Sequence, residues 1–450
     1  MVRRLALRFL FAAAVLAPEM DCAKASAVDE TTRAQPLGVG WEGGLSARCA
    51  PFYSKDWTPV IGPDKRQPTA SPKPTRGKSF ADVAFKTCVV RVTDHTADHV
   101  PGFARNDYSR RQAFNADDTK IVVSAQDGTW HCYDAVNQKY LGRLAGVGGD
   151  AEPQWHPTNP NLMYYFPAFG IGMQIREIDV TTGQNRIVAD LASRITAVWP
   201  KAHSAWTKSE GSPSSDARYW SLMVDDADWK GLGMLTYDLA SDKIIATYDF
   251  AKNHHGRPDH VSMTLSGAYI TASWDEGTFA FSRDFAKMVK LHHKSEHSDL
   301  ALDANGDDIY VSLDYEGTGG PVFMRNIRTG VRTDLFPTYL EHTATAIHFS
   351  GRAFRRPGWV LASTYGEGGG SWQWMHAKIF AIQLKSHPLI INLANHHVIH
   401  DEYWTEPHAS VNRDFTRIVF GSNWDVRSKT DIDTYLIELP RVLTSIPPGP

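Results

Sequence analysis

The sequence predicts an all-β protein, a seven-bladed β-propeller with four-stranded blades and a ring closed by an N-terminal strand. Three observations predict this fold. From residue 81 the chain is a series of short β-type runs between turns, with no long stretch of helical period. A turn followed by an apolar strand recurs seven times, and a polar hairpin follows most copies. One strand near the N-terminus has no hairpin partner of its own.

The first repeated unit is a turn rich in Asp, Asn, Ser or Gly, followed by an apolar strand. Its clearest anchors are 42, 57, 50 and 39 residues apart, and they are Asp117, Asn159, Asp216, Ser266 and Asn305. Four-stranded propeller blades recur at about 40 to 50 residues, which matches this spacing. The seven strands after these turns begin at Ile121, Leu162, Tyr219, Tyr269, Ile309, Trp359 and Ile418.

The second repeated unit is a hairpin with a polar turn. It follows Tyr133, Ile178, Tyr237 and Arg325, with a weaker copy over 379–393. Asp, Asn and Gly at these turns favour tight hairpins. The two units together supply four strands, which is one blade.

The seventh copy ends near Leu439 and Pro440 without a returning strand, whereas 88–93 is a strand without a hairpin. We expect this N-terminal strand to complete the last blade, because a closed ring leaves no exposed sheet edge. The alternative is a β protein of two domains.

The chain divides into four predicted segments. Residues 1–27 are predicted to be a signal peptide, with Arg3, Arg4 and Arg8 before a short apolar run and an Ala-Ser-Ala cleavage pattern at its end. A transmembrane anchor is the alternative, but such a span needs about 20 apolar residues. An irregular N-terminal arm follows over 28–80, then the propeller over 81–440 and a C-terminal tail over 441–450.

Three cysteines remain after the predicted leader, and export permits a disulfide. We favour Cys49–Cys88, because Cys132 lies inside an apparent strand. Three unpaired thiols are the alternative. The sequence has no Cys-x-x-Cys pair, which disfavours a thiolate zinc site.

The charge balance excludes a general nucleic-acid-binding role. Lys and Arg total 47 against 50 Asp and Glu, a net charge of −3, and removing the leader brings it to −5. No other long apolar stretch exists, so we expect a periplasmic or secreted monomer that binds no membrane and no nucleic acid.

Histidines recur where innermost strands of a propeller would begin, near one mouth of the central channel. Positions six or eight before the anchor turns share one strand face, and they hold His260, His297, His342 and His408. We predict that these four bind a divalent metal ion, either Mn, Zn or Ca, although calcium prefers oxygen ligands. A metal-free histidine network is the alternative. The doublets 254–255, 292–293 and 396–397 are expected to be solvated loop residues.

The opposite arc of the mouth has basic, hydroxyl and aromatic groups that suit an anionic, hydroxyl-rich ligand. Its predicted catalytic residues are Tyr108, His131, His156, His203 and Arg218. Trp155, Trp206 and Trp220 lie near them in sequence, either to cover sugar rings or to fill the blade core.

Several motifs also resemble known enzymes. The stretch 406–424 is similar to the last blade of the oligogalacturonate-lyase-like propellers. The motifs 106–111, 259–263 and 297–299 resemble the wider group of seven-bladed polysaccharide lyases, which includes ulvan lyases and rhamnosyl-glucuronate lyases. The resemblance covers about residues 80–440, and the order of the motifs is its strongest part.

The resemblance implies β-elimination beside uronic acids, with a metal in the channel and an anionic oligo- or polysaccharide substrate. By order and spacing, the base would be His156 or His131, the acid His203 or Tyr108, and the group that neutralises the carboxylate Arg218 or the metal. The oligogalacturonate branch binds its metal with one Gln and three His, whereas the blade-seven stretch has one His. This departure disfavours pectate oligomers.

Two alternatives to a lyase stay open. The repeats also resemble the TolB-type propellers of the periplasm, which are non-catalytic binding proteins. The other alternative is a propeller hydrolase with paired carboxylates, and its candidate residues are Glu210, Asp299 and Glu406. Hydrolysis would give saturated products, unlike elimination.

Overall fold

The computed structural model describes residues 45–54 and 56–441, and they form a ring of seven antiparallel sheets. The predicted all-β, seven-bladed propeller is therefore confirmed. Within these ranges the helices are one α-helix, α1 (Ala192–Val198), and three 3-10 turns (Ala50–Phe52, Ala168–Gly170 and Tyr403–Thr405). None is long and apolar enough to cross a bilayer.

Three short strands precede the first blade: β1 (Val60–Ile61), β2 (Ser79–Ala81) and β3 (Cys88–Arg91). Blades are numbered I to VII in chain order. Blade I has β4 (Lys120–Ser124), β5 (Thr129–Asp134) and β6 (Tyr140–Gly148). Blade II has β7 (Gln154–Trp155), β8 (Leu162–Tyr165), β9 (Gln174–Asp179) and β10 (Asn185–Asp190). Blade III has β11 (Ala202–Trp206), β12 (Tyr219–Asp226), β13 (Gly231–Asp238) and β14 (Lys243–Asp249).

The other four blades follow the same order, with the first strand innermost. Blade IV has β15 (His260–Met263), β16 (Tyr269–Trp274), β17 (Gly277–Ser282) and β18 (Met288–His292). Blade V has β19 (Ser298–Leu302), β20 (Asp308–Leu313), β21 (Pro321–Asn326) and β22 (Arg332–Pro337). Blade VI has β23 (Ala344–Ser350), β24 (Trp359–Gly368), β25 (Lys378–Gln383) and β26 (Ile390–Asn395). Blade VII has β27 (Ser410–Val411), β28 (Arg417–Ser422) and β29 (Asp433–Glu438).

The ring closes where both ends of the propeller meet in blade VII. Strand β3 pairs antiparallel with β29, from Tyr435 opposite Arg91 to Glu438 opposite Cys88. The predicted closure by 88–93 is therefore confirmed. The described part of the predicted arm lies against the same region, because β2 adds a fifth strand to blade VII and β1 a fifth strand to blade VI. These additions cover the outer edges of the two blades.

Blade I departs from the four-strand pattern at its inner edge. No regular innermost strand pairs with β4 within the described residues. Instead, two isolated β-bridges, Arg105 to Ser124 and Phe114 to Ile121, pair with the two ends of β4. Residues 106–112, which we call the axial segment, lie between these bridges and contact the inner strands of other blades. Gln112, for example, donates hydrogen bonds to the carbonyls of Arg352 and Val411 at 3.4 and 3.3 Å.

Apolar side chains pack between neighbouring blades and form the core. Trp155, Trp206 and Trp220 are buried in three of these clusters. The blade-core interpretation of these tryptophans is therefore confirmed. Their indole rings contribute to stability by burying large apolar areas.

The predicted disulfide is present. Cys49 and Cys88 are bridged, and Cys132 is a buried free thiol on β5. The bridge ties the arm to the first residue of β3, the strand that closes the ring. The predicted signal peptide and all but the first residue of the predicted tail lie outside the described residues.

We expect the double change Cys49→Ser and Cys88→Ser to lower the free energy of unfolding by about 4 kcal/mol, the chain-entropy value for a loop of 39 residues. Guanidinium unfolding followed by tryptophan fluorescence measures the change. The control is Cys132→Ala, which removes a buried sulfur but no cross-link. Equal unfolding midpoints for the double variant and the wild-type protein would contradict the stabilising role of the bridge.

Candidate active site

Four blades bring histidines to the same mouth of the channel. His260 is the first residue of β15, His297 directly precedes β19, His348 lies on β23, and His408 is two residues before β27. The ring centroid of His348 lies 4.4 Å from that of His297 and 4.1 Å from that of His408. Residues separated by over a hundred positions therefore meet because each innermost strand faces the axis.

The centre of this group is a buried carboxylate between two imidazoles. Oε2 of Glu406 lies 2.7 Å from Nε2 of His348 and 3.4 Å from Nε2 of His408. A third imidazole, that of the exposed His400, approaches Oε1 at 3.7 Å. We call His348, Glu406 and His408 the central triad.

Tyrosines enclose the triad. The hydroxyl of Tyr365 lies 2.9 Å from Nδ1 of His297, and its ring stacks on His348 with centroids 4.6 Å apart. The ring of Tyr108, from the axial segment, lies 4.7 Å from that of His408. Burial raises the pKa of both phenols well above the usual value, so they stay protonated at neutral pH.

The site combines the charged carboxylate of Glu406 with two neutral imidazoles, those of His297 and His408. Burial alone would raise the pKa of Glu406, but the neighbouring imidazoles of His348, His400 and His408 outweigh this effect and hold that pKa far below the usual value. Burial, with His348 as the next cause, lowers the pKa of His297 to about 3 and that of His408 well below the usual value. These rings therefore present free lone pairs at neutral pH.

Arg110 places a positive charge between the central triad and blade III. Nη1 of Arg110 donates to Oε2 of Glu210 at 2.7 Å and to Nε2 of His260 at 2.5 Å. Arg110 also donates to the carbonyl of Ser298, and its Cζ lies 5.3 Å from the ring centre of Tyr108. Burial alone would lower the pKa of Arg110, but the Glu210 charge raises it, so the guanidinium stays protonated.

The triad fits a divalent metal ion. One ligand atom from each of its three residues lies within 4.8 Å of the other two. Both ring nitrogens of His408 are buried without a hydrogen-bond partner among the described residues. An unpartnered buried nitrogen costs free energy that a metal bond would recover. Two imidazoles and one carboxylate suit manganese or zinc better than calcium.

Three of the four predicted metal ligands lie at this mouth, namely His260, His297 and His408. His260 contacts Arg110 rather than the triad. The fourth, His342, is exposed in the loop before β23, and His348 takes its place. The prediction placed the ligand eight residues before Ser350. Because β23 begins only at Ala344 and pairs with the long strand β24, that position lies in the loop before the strand, beyond the channel.

Of the predicted catalytic residues, only Tyr108 lies in the cluster. His131 contacts Thr129 and Tyr140 within blade I. Nδ1 of His156 accepts backbone hydrogen bonds in its own turn. The other two also lie away from the triad: His203 on β11 and Arg218, which forms a fork with Asp238.

Sequence reasoning missed several residues of the site. His348, Tyr365 and His400 were not singled out, and Glu406 was considered only as a hydrolase carboxylate. One signal was present: Glu406 and His408 are two residues apart in the motif that resembles the last lyase blade. Tyr365 could not be inferred, because it lies on β24, the second strand of its blade.

The doublets were expected to be solvated, and for three members this is wrong. His292, His396 and His397 are buried, with 4%, 2% and 7% exposure. Burial lowers the pKa of His292 to about 4 and that of His396 to about 3. Both rings are therefore neutral at pH 7.

Two solved structures are similar in fold. One, described as an oligogalacturonate lyase in complex with manganese, has a TM-score of 0.57 at 16% identity and covers 83% of this chain and 99% of its own. The other, an oligogalacturonate lyase from Vibrio parahaemolyticus, has a TM-score of 0.55 at 13% identity and covers 81% and 96%. No protein-family model and no curated protein matches the chain. The predicted resemblance is thus confirmed at the level of fold.

We expect His348→Asn to weaken manganese binding at the central triad by at least about 100-fold, because it removes a ligand. His342→Asn is the matched control, since this histidine belongs to the same blade but is exposed. Isothermal titration measures both variants, with circular dichroism to verify folding. Equal losses in the two variants would contradict the triad as the binding site.

Proposed function

We propose that the protein is a lyase that cleaves uronic-acid-containing polysaccharides by β-elimination. The observation that supports this most directly is the buried triad of His348, Glu406 and His408 at the mouth of the propeller channel. The similar fold of two oligogalacturonate lyases, one of them a manganese complex, adds support. A non-catalytic binding scaffold does not require such a triad, whose burial costs stability.

We propose that His348, Glu406 and His408 hold a divalent ion of the manganese or zinc class. When bound, the ion would supply positive charge to neutralise the uronate carboxylate and stabilise the enolate-like transition state. Side chains of the protein would carry out the two proton transfers of the reaction.

Elimination transfers two protons while the C4–O4 bond breaks. A base removes the C5 proton, its electron pair forms the C4–C5 double bond, and an acid protonates the departing O4. His400 is the base that we propose, because it is exposed at the mouth and approaches Glu406. Tyr365 is the proposed acid, since its hydroxyl is protonated and lies at the mouth, 2.9 Å from Nδ1 of His297; water would resupply its proton after the product leaves.

The substrate is proposed to extend across the mouth towards blades III and IV. A cleft of about 340 Å³ lies there beside Asp259, with Lys208, Arg257 and Trp274 among its lining residues. Lys208 contacts Asp259 at 2.8 Å and Arg257 pairs with Asp225. Asp275 and Glu276 also line the cleft, so a uronate would bind there by displacing a carboxylate from Lys208 or Arg257, while the indole of Trp274 can cover a sugar ring.

We further propose that the protein is exported to the periplasm or beyond and acts as a monomer. The predicted signal peptide and the Cys49–Cys88 disulfide support export, because disulfides persist in oxidising compartments. No partner beyond the polysaccharide is required by this proposal.

Incubation with ulvan, glucuronan, pectate oligomers or glucuronate-capped arabinogalactan tests the activity. We expect at least one polymer to give the ultraviolet absorbance of an unsaturated uronate, and a chelator to abolish it. Saturated products would indicate hydrolysis instead. Absence of any product from all four, with and without manganese, would contradict an enzyme of this class.

Once a substrate is found, Tyr365→Phe is expected to lower kcat by about 10² to 10⁴, because it removes the proposed acid. The control is Tyr339→Phe, which alters an exposed tyrosine near the rim of blade V. Initial rates from product absorbance measure both. Unchanged kcat in Tyr365→Phe would exclude this residue as the acid.

A further inference from the structure

A second group of potential metal ligands lies outside the channel, where blades IV and V adjoin. His292 ends β18 in blade IV and His293 follows it, while Asp314 and Glu316 follow β20 in blade V. We call these four residues the peripheral cluster. None of them belongs to the proposed active site.

The spacing of the peripheral cluster suits a tetrahedral ion. One ligand atom each from His292, His293 and Asp314 lies within 4.8 Å of the other two. Nε2 of His293 lies 3.6 Å from Oδ1 of Asp314 and 3.2 Å from Oε2 of Glu316. Tetrahedral zinc with bonds of about 2.0 to 2.1 Å separates its ligand atoms by about 3.3 Å.

One buried nitrogen of the peripheral cluster is available to bind an ion. His292 is 96% buried, and its Nε2 has no hydrogen-bond partner within the described ranges. Leaving such a nitrogen buried costs free energy, which a bound ion would offset.

Cations orient the two carboxylates. Arg332 contacts Oδ2 of Asp314 at 2.8 Å, and Lys294 contacts Oε1 of Glu316 at 3.0 Å. The other oxygen of each carboxylate is therefore the one that faces His293. Partners that fix the direction of a ligand in this way are a regular feature of metal sites.

We propose that His292, His293, Asp314 and Glu316 bind a zinc-like divalent ion that cross-links blades IV and V. Imidazole nitrogens and carboxylate oxygens are both ligands that zinc accepts in four-coordinate sites. The ion would stabilise the ring at the rim and would not take part in the chemistry. This proposal is independent of the lyase activity.

Zinc binding by three variants tests the proposal, with bound zinc counted by equilibrium dialysis and thermal unfolding measured with and without zinc. His293→Gln is the test variant, because its side chain is 43% exposed and the residue lies outside the strands. His254→Gln alters an exposed histidine of another doublet and is the matched control. His348→Asn removes the central triad and separates the two sites.

We expect His293→Gln to bind one zinc ion fewer per chain and to lose the zinc-dependent rise in Tm. His254→Gln should match the wild-type protein, and His348→Asn should keep the peripheral ion and the rise in Tm. Zinc counts and Tm rises in His293→Gln equal to those of the wild-type protein would overturn the proposal, as would the absence of any zinc ion bound to His348→Asn.

Discussion

The pairing of β3 with β29 is the constraint on which the rest of the structure depends. A strand from the beginning of the propeller completes its last blade, so the ring cannot open without breaking this pairing. Closure makes every innermost strand face one axis. The Cys49–Cys88 bridge holds the closing strand covalently to the arm. His260 and His408 meet at one mouth only because of this closure.

Closure also leaves little room along the axis, and the inner strands of neighbouring blades nearly touch. A Cβ at Gly351 would lie 2.0 Å from the carbonyl oxygen of Leu300, so a larger residue would force the two strands apart. The axial segment fills the remaining space and brings Tyr108 and Arg110 to the triad. The site is therefore formed by four inner strands, the axial segment, strand β24 with Tyr365, and the connection from β26 to β27 with His400 and Glu406.

Burying the charged and imidazole groups of the site costs folding free energy. A buried carboxylate and buried neutral imidazoles lose the hydration that they have in the unfolded chain. Three imidazoles surround the Glu406 carboxylate, yet both ring nitrogens of His408 lack a hydrogen-bond partner among the described residues. Such a cost is common at functional sites, where the arrangement is retained for binding or catalysis.

The sequence was sufficient for the fold and for part of the site. Strand and turn periodicity predicted the blades, and the unpaired strand at 88–93 predicted the closure, because both depend on local pattern. His297 and His408 followed from repeat position. His348 did not, because the β23–β24 hairpin is longer than its counterparts and shifts the register. His131, His156, His203 and Arg218 were chosen by order along the chain, which does not specify distance from the axis.

Pulsed electron paramagnetic resonance of the manganese-loaded protein tests the central claim most directly. The His293→Gln background excludes the peripheral cluster from the signal. If His348 of blade VI and His408 of blade VII bind the same ion, the spectrum shows couplings to two histidine nitrogens. One coupling is then lost in His348→Asn and the other in His408→Asn. An ion coupled to no nitrogen, or couplings that persist in both variants, would contradict convergence on a metal at the axis.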